Sequence, residues 1–248
     1  MRIVISPAEK MNAEADALAH EGLPALLGRT RELLGWLRGM EPAERKRLWK
    51  CSDAIAERSA GELARMDLER NLAPALIAYD GIQYAYMAPA VFEDGQVSYV
   101  QEHLRILSGF YGALRPLDGV APYRLEMQAK GAPGGLPDLY AFWGDAIYRE
   151  VMRGNGDRTV VNLASKEYSK AVERHLQRHD RYVTFVFGEL EGGRVVQKGV
   201  YAKMARGEMA RYLASVGATR PEQAKDFDWS RYRFDEERSN EDRYVFTR

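Results

Sequence analysis

Three arginines lie close together in segment 103–127, which reads HLRILSGFYGALRPLDGVAPYRLEM. They are Arg105, Arg115 and Arg124, and apolar residues occupy many of the positions between them. A guanidinium that leaves water costs several kcal/mol unless a partner compensates its charge. The segment is therefore predicted to hold cations at a cleft, where they meet either internal carboxylates or an anionic ligand.

Two further cations lie on a predicted helix near the C-terminus, in the segment YAKMARGEMAR. Lys203 and Arg206 are three residues apart, so they share one face of that helix. Gly207 follows them, and a glycine inside a helix costs about 1 kcal/mol relative to alanine. This cost indicates that another backbone or a ligand approaches closely here. We expect these two cations to line the same cleft as the three arginines.

Polar side chains also follow a predicted buried strand, in the segment VVNLASKEYSK. The strand ends near Asn162, and Ser165 is the expected N-cap of the next helix. The backbone N–H groups at the start of a helix attract anions. The segment therefore predicts either an anion site flanked by Asn162 and Ser165, or only a well-capped strand–helix unit.

If the protein is an enzyme, several polar side chains could act as nucleophiles, acids or bases. The candidates are Lys10, Ser108, Tyr111, Glu126 and Ser165. In an extended segment, Glu126 lies on the same side as Arg124, two residues earlier. That pair is either a salt bridge or a base held beside a cation.

Metal and cofactor sites are not predicted. His175 and His179 are four residues apart, but no HExxH motif accompanies them, and their neighbours are those of a solvated surface. The chain has a single cysteine, Cys51, which excludes cysteine clusters and an internal disulfide. GxGxxG and GxxxxGK[ST] motifs are missing from the sequence, which argues against standard dinucleotide and P-loop sites, and GxSxG is missing as well.

The charge balance argues against a typical nucleic-acid domain, which is strongly basic. Lysine plus arginine and aspartate plus glutamate are equal at 36 each among the 248 residues. The charges are partly segregated along the chain. Arg29–Lys50 has seven basic and three acidic residues, whereas Asp226–Asp242 has seven acidic and three basic ones. The start MRIVISPAEK is no secretory leader, and no apolar run is long enough for a membrane span. A cytoplasmic protein without membrane contact is expected.

Hydrophobic spacing and turn residues predict a mixture of helices and strands. The predicted strands are 2–5, 74–79 and 158–163, with hairpins over 181–199 and 232–246. The predicted helices cover 24–39, 42–51, 53–66, 96–107, 138–152, 165–176 and 201–216, with a short one from 221. Segment 212–227 is either a degenerate helix-hairpin-helix or a simple packing hairpin. Because hairpins argue against a purely parallel sheet, we predict a single α+β (mixed α/β) domain over 1–248, not a doubly wound one.

Several motifs follow one another in an order that spans Ile5 to Phe246. They are ISPA, HLRILSGFYGALRPLD, PYRLEM, DLYAFWGD, VVNLASKEY, YAKMARG and FDEERSN. In order and spacing they resemble the peroxide stress resistance protein YaaA family. The resemblance implies a bacterial cytoplasmic protein of the hydrogen peroxide response that limits free iron. It also implies a mixed sheet with surrounding helices, a positively charged cleft, a helix-hairpin-helix and binding of duplex or junction DNA. It implies no catalysed reaction.

Two departures from the family motifs remove positive charge. Members usually read SPAK, whereas here Glu9 takes the place of the lysine and Lys10 follows. A second motif usually reads KGxVYxGL, whereas this chain reads DGIQYAYM, so Asp80 replaces a lysine and Tyr86 a glycine. These changes leave open a specialised paralogue.

Three functions are therefore compared. The first is a DNA-binding stress protein, with a role in DNA repair, that contacts the phosphate backbone without strong sequence specificity. Its predicted binding residues are Arg105, Arg115, Arg124, Asn162, Lys203 and Arg206. The second is an enzyme acting on a small anionic substrate, such as a nucleotide or a modified base. The third is a scaffold whose arginines are all paired internally.

Overall fold

The structure is a computed structural model that describes residues 1–12 and 18–248. Its strands are short, and most are buried. They are β1 (Arg2–Ile5), β2 (Lys10–Met11), β3 (Ala73–Pro74), β4 (Tyr79–Asp80), β5 (Leu104–Ser108), β6 (Gly112–Leu114), β7 (Gly119–Val120), β8 (Lys130–Ala132), β9 (Leu136–Asp138), β10 (Thr159–Leu163), β11 (Arg181–Glu191), β12 (Arg194–Val196), β13 (Arg233–Phe234) and β14 (Arg243–Thr247).

Helices occupy much of the rest of the described chain. The α-helices are α1 (Leu27–Gly39), α2 (Pro42–Trp49), α3 (Asp53–Arg65), α4 (Ala75–Ala78), α5 (Ile82–Met87), α6 (Asp94–His103), α7 (Leu139–Trp143), α8 (Ala146–Met152), α9 (Lys166–Glu173) and α10 (Gly199–Ser215). Short 3-10 helices cover Pro89–Val91, Pro133–Gly135, Pro221–Asp226 and Trp229–Arg231.

The main sheet has the strand order β13-β14-β11-β10-β1-β5-β6, with β12 paired to β11. The neighbours β14, β11, β10, β1 and β5 are parallel, while β6, β12 and β13 pair in an antiparallel manner. The predicted mixed sheet with surrounding helices is confirmed. The prediction that hairpins rule out a purely parallel sheet is confirmed, since they lie at the ends of strands and at the edges. The prediction that the domain is not doubly wound is wrong for the centre of the sheet, where parallel strands extend to both sides of β1 and β10. Strands β1 and β10 are fully buried, as parallel strands usually are.

Segment 96–107 differs from the prediction. Helix α6 ends at His103, and Leu104–Ser108 forms strand β5 beside β1. The apolar residues of LRIL fit both a helix face and a buried strand, and periodicity alone does not separate the two in a short run. Pairing with β1 decides the outcome.

Three other predicted elements are also corrected. The predicted strand 74–79 contains one helical turn, α4, between the two-residue strands β3 and β4. The predicted helix 138–152 is divided into α7 and α8 at Gly144, whose φ of 50° is incompatible with a right-handed helix. After α10, the predicted helical hairpin continues into the six-residue 3-10 helix Pro221–Asp226 rather than an α-helix.

The described helices lack a segment that is both long and apolar enough to cross a bilayer.

The connections from β1 and β10 run in opposite directions along the sheet. The next strand of the main sheet after β1 is β5, on one side of it, whereas the next after β10 is β11, on the other side. Because β1 and β10 are parallel neighbours, their carboxyl ends border a crevice where the winding direction reverses. Ligands of open α/β sheets bind at such switch points.

Candidate functional site

A cavity of about 420 Å³ opens at the carboxyl ends of β1 and β10, and we name it the switch-point pocket. Five pieces of chain surround it: the loop after β1, the start of α5, the loop before β8, the start of α9 and one face of α10. Its lining residues are Ser6, Pro7, Ala8, Glu9, Lys10, Asp80, Gly81, Ile82, Gln83, Tyr84, Glu126, Gln128, Ser165, Glu167, Tyr168, Lys203 and Arg206.

Two serines join the strand ends at the base of the pocket. The Ser6 hydroxyl accepts a hydrogen bond from the Ser165 backbone N–H at 2.8 Å, and the two hydroxyl oxygens are 3.3 Å apart. Asn162 supports the same turn from below, because its side-chain oxygen accepts from the Ala164 N–H at 2.9 Å. Of the two residues predicted to flank an anion site, Ser165 lines the pocket and Asn162 does not.

Gly207 explains how α10 reaches the pocket. Helix α10 packs on α5, and a β-carbon at position 207 would lie 2.1 Å from the main-chain oxygen of Gln83. Only a glycine permits so close an approach, which brings Lys203 and Arg206 to the pocket wall. The glycine singled out in the sequence is thus a contact between two backbones.

Lys203 and Arg206 are unpaired cations. Within residues 1–12 and 18–248, neither side chain has a hydrogen-bond or ion-pair partner. Lys203 is exposed at the rim, whereas the Arg206 Nε atom is buried. Burial lowers the pKa of Arg206, because the interior disfavours its charged form. A half-buried cation without a partner can bind an anion.

Two other cations of the site are neutralised. Lys10 forms a salt bridge with Asp80, and the Arg124 Nη2 atom lies 3.3 Å from a carboxylate oxygen of Glu9. Arg124 lines a small cavity that adjoins the switch-point pocket. Both acids are residues at which this chain departs from the motifs that it resembles.

The formal charges of the two cavities therefore balance. Four cations (Lys10, Arg124, Lys203 and Arg206) face four carboxylates (Glu9, Asp80, Glu126 and Glu167). The predicted basic cleft is a charge-balanced pocket in this chain, with only Lys203 and Arg206 unpaired among the four cations.

Glu126 and Glu167 line the pocket as a carboxyl pair joined through Gln128, and neither forms a salt bridge within the described residues. The Gln128 backbone N–H donates to Glu167 at 3.1 Å, and its side-chain amide donates to Glu126 at 3.3 Å. Burial raises the pKa of Glu167, the charge of Glu126 raises it further, and the Gln128 N–H opposes this shift. Two carboxyl groups that share one hydrogen-bonding residue can serve as an acid–base pair.

Ser108 and Tyr111 lie in the core and do not line the pocket. The Ser108 hydroxyl accepts from the N–H groups of Phe110 and Tyr111 at 3.1 and 2.9 Å, and it contacts the Tyr123 hydroxyl at 2.7 Å. The Tyr111 hydroxyl bonds both backbone groups of Ala121, and burial raises its pKa. Both side chains hold the segment 108–123 in shape.

Arg105 and Arg115 do not reach the pocket either. Arg105 is only 2% exposed, and its Nη1 atom donates to the carbonyls of Leu104 and Glu102 at 2.6 and 3.1 Å. Burial lowers its pKa to about 10, and the charges of Arg2 and Arg115 act in the same direction. Because Arg105 is the second residue of β5, it lies toward the strand end remote from the switch point. The five predicted cations therefore do not converge in one cleft.

Sequence reasoning missed Ser6 and Gln83. Ser6 had a usable signal, because it directly follows a buried strand, and polar residues at such ends meet at one edge of a parallel sheet. Gln83 had none, since its contact with the pocket depends on how α10 packs on α5. In the part of the chain that the structure describes, no three His, Cys, Asp or Glu side chains gather as metal ligands.

Comparison with known proteins agrees with this arrangement of motifs. A family model described as "Peroxide stress protein YaaA" matches residues 1–238. A UPF0246 protein of Agathobacter rectalis is 48% identical over 248 residues, which covers 100% of this chain and 99% of the relative. A UPF0246 protein of Lachnoclostridium phytofermentans is 49% identical over 246 residues, with 99% and 96% covered. Such identity along both full lengths, together with the family match, leads to one conclusion: the chain belongs to the peroxide stress protein YaaA family.

Proposed function

We propose that this peroxide stress family member binds a phosphorylated ligand in the switch-point pocket, with Lys203 and Arg206 holding the phosphate. The observation that carries the proposal is the unpaired state of these two cations at the pocket wall. The start of α9 and the hydroxyls of Ser6 and Ser165 supply further donors beside them. Phosphate matches this set because it accepts several hydrogen bonds and carries negative charge.

The phosphate could belong to a small ligand or to the backbone of DNA. A ligand of nucleotide size fits the pocket better. Pockets for small ligands measure about 300–1,000 Å³, a range that includes this cavity. Affinity for a DNA backbone depends on many cations acting together. Here Arg105 and Arg115 lie elsewhere, and Lys10 and Arg124 are paired with acids.

DNA, the partner implied by the family resemblance, is the second source. Lys203 is exposed at the rim of the pocket, where a backbone phosphate can reach it. In that case the protein contacts the phosphate backbone of DNA without sequence specificity. It would then act in the peroxide response as a cytoplasmic DNA-binding protein.

Catalysis on the bound ligand is a second candidate function, and the carboxyl pair Glu126 and Glu167 supports it. Both residues line the pocket that holds the unpaired cations. One would donate a proton to the ligand while the other accepts one. Ser165 and Lys10 also line the pocket, although Lys10 is paired with Asp80.

Binding measurements with three probes test the proposal: inorganic phosphate, single ribonucleoside monophosphates and a short DNA duplex. The variants are Lys203→Ala and Arg206→Ala. Arg115→Ala is the matched control, because Arg115 is an exposed cation that lies outside the pocket. We expect each pocket variant to weaken nucleotide binding about tenfold or more, since hydrogen bonds to charged groups contribute about 1.5–3 kcal/mol. The control should leave binding unchanged.

The same titrations distinguish the two sources. Duplex binding that is lost in both pocket variants, with log K falling by about 0.9 per phosphate contact for each tenfold rise in salt, identifies DNA. If wild type binds a nucleotide but not the duplex, and both pocket variants lose the nucleotide, the ligand is the small molecule. Equal binding by wild type and both pocket variants for every probe refutes the proposal.

A further inference from the structure

Gln83 lines the switch-point pocket, and its side-chain amide nitrogen is buried without a partner among the described residues. Gln83 is 6% exposed and lines the switch-point pocket. Its Nε2 atom is inaccessible to solvent and lacks a hydrogen-bond partner among residues 1–12 and 18–248. Buried side-chain amides are nearly always hydrogen-bonded, because an unsatisfied one loses its bonds to water without replacement.

The position of Gln83 is fixed by its neighbours. It lies in the first turn of α5, and its main-chain oxygen is in contact with Gly207 of α10. The same packing places Arg206 at the pocket wall, and its buried Nε atom also lacks a partner among the described residues. Two residues that line one cavity, on two helices packed together, therefore each carry an unsatisfied buried donor.

We propose that Gln83 determines specificity by turning its carboxamide toward the ligand and reading the uncharged, planar part of it, while Lys203 and Arg206 hold its phosphate. A carboxamide presents one donor and one acceptor side by side, whichever way round it lies. The edge of a nucleobase presents the complementary pair, and glutamine bonds adenine in this bidentate manner in other proteins. The ligand class is therefore a nucleotide rather than a bare sugar phosphate. This inference rests on the proposed function.

A structural role is the competing explanation, and the contacts speak against it. A glutamine that stabilised the fold would bond the backbone or a side chain, as Gln128 bonds Glu126 in the same pocket. Gln83 does neither within the described residues. Its burial without a partner costs folding stability, and that cost is recovered only when a ligand or a bound water satisfies the amide.

The test compares ribose 5-phosphate with the ribonucleoside monophosphates, each titrated singly. The variant is Gln83→Leu, which keeps the volume and removes the amide. Gln197→Leu is the matched control, because Gln197 is exposed and lies outside the pocket. We expect wild type to prefer at least one nucleotide over ribose 5-phosphate. Gln83→Leu should reduce that preference about tenfold and leave the affinity for ribose 5-phosphate unchanged.

Urea unfolding without ligand is the second readout. Gln83→Leu removes an unsatisfied buried group, so the midpoint should stay the same or rise. A lower midpoint, an unchanged preference, or a wild type that binds ribose 5-phosphate as tightly as every nucleotide would each overturn the inference. If Lys203→Ala still weakens all phosphorylated probes equally, the proposed function survives that failure.

Discussion

The backbone of Gly207 rests directly on the main-chain oxygen of Gln83, with room for a hydrogen but not for a methyl group. A β-carbon at position 207 would lie 2.1 Å from that oxygen and 2.9 Å from the Met87 nitrogen. Real β-carbons do not approach backbone atoms so closely, and backbone cannot move aside as a flexible side chain can. One glycine therefore sets the distance between α5 and α10, and with it the width of the switch-point pocket.

Gly207→Ala should destabilise the protein by about 1–3 kcal/mol, the usual range for an overpacked core. It should also weaken phosphate binding, because α10 must move away from α5 and carries Lys203 and Arg206 with it. Urea unfolding measures the first effect, and phosphate titration of the folded variant measures the second.

Gly35→Ala is the matched control in α1, since a β-carbon there meets no atom within 4 Å. That change should stabilise the protein by up to about 1 kcal/mol through helix propensity alone. If both alanine variants behave alike, the close approach of α10 and α5 is unimportant.

The contrast between Gly207 and Arg105 shows what sequence reasoning could predict. A glycine inside a helix is a local anomaly, so its cause, a close approach, was predictable from the sequence. The position of Arg105 depends on the register of β5 against β1 and on which end of β5 lies at the switch point. Both are properties of the tertiary structure. The sequence pattern showed that Arg105 had to be paired or placed in a cleft, and three backbone carbonyls turned out to be its partners.

The fold, like the site, was predictable only in its local features. Buried strands such as β1 and β10 are continuous apolar runs that any reading finds. The run LRIL in β5 was ambiguous, because neither its length nor its composition separates helix from strand. Strand order, which creates the switch point between Ser6 and Ser165, leaves no local pattern in the sequence.

Ser108→Ala should lower stability by about 1–3 kcal/mol without changing ligand binding. Its hydroxyl accepts from two buried backbone N–H groups, those of Phe110 and Tyr111, and alanine leaves both without a partner. Urea unfolding gives the loss, and nucleotide titration well below the unfolding midpoint gives the affinity. Ser215→Ala, at an exposed serine, should change neither quantity by more than about 0.5 kcal/mol. A stable Ser108→Ala protein with lost binding would instead assign Ser108 to the site.

Asp118→Asn should make the protein less sensitive to pH. Burial raises the pKa of Asp118 to about 6 from its ordinary 3.8, while the Arg115 N–H, at 2.8 Å, opposes the shift. Because the folded-state pKa is the higher one, the contribution to stability is complete below about pH 4 and is lost as pH rises through about pH 6. Asparagine keeps the acceptor and removes the charge.

Two pKa units correspond to about 3 kcal/mol, which is the upper limit for the difference between the two proteins. The free energy of unfolding of the variant should therefore exceed that of wild type at neutral pH, and the gap should close in acid. Parallel stability curves across this range would show that Asp118 does not titrate there.

Restoring the lysines that the resemblance implies at positions 9 and 80 should convert the charge-balanced pocket into a basic one. Glu9→Lys with Asp80→Lys releases Arg124 and Lys10 from their partners and adds two cations. DNA duplex affinity should rise, and the slope of log K against log salt should steepen by about 0.9 for each new phosphate contact. Fluorescence anisotropy in a salt series measures both.

Glu57→Lys with Glu241→Lys makes the same change in net charge at exposed positions outside the pocket. If this control binds the duplex as tightly as the restored protein, then total charge rather than the pocket controls DNA affinity.

Ionisation of Glu167 should oppose an anion in the pocket. Burial and the neighbouring Glu126 raise the pKa of Glu167 above its ordinary 4.5, so its charge develops as pH rises through that higher value. The affinity for an anion should therefore be greatest in acid and fall as Glu167 ionises. Sulfate is the appropriate probe, because it stays a dianion throughout this range and phosphate does not. Glu167→Gln should flatten the pH profile, whereas Glu173→Gln, at an exposed position of the same helix, should keep it. If wild-type sulfate affinity does not change between about pH 4.5 and pH 7, Glu167 does not face the anion.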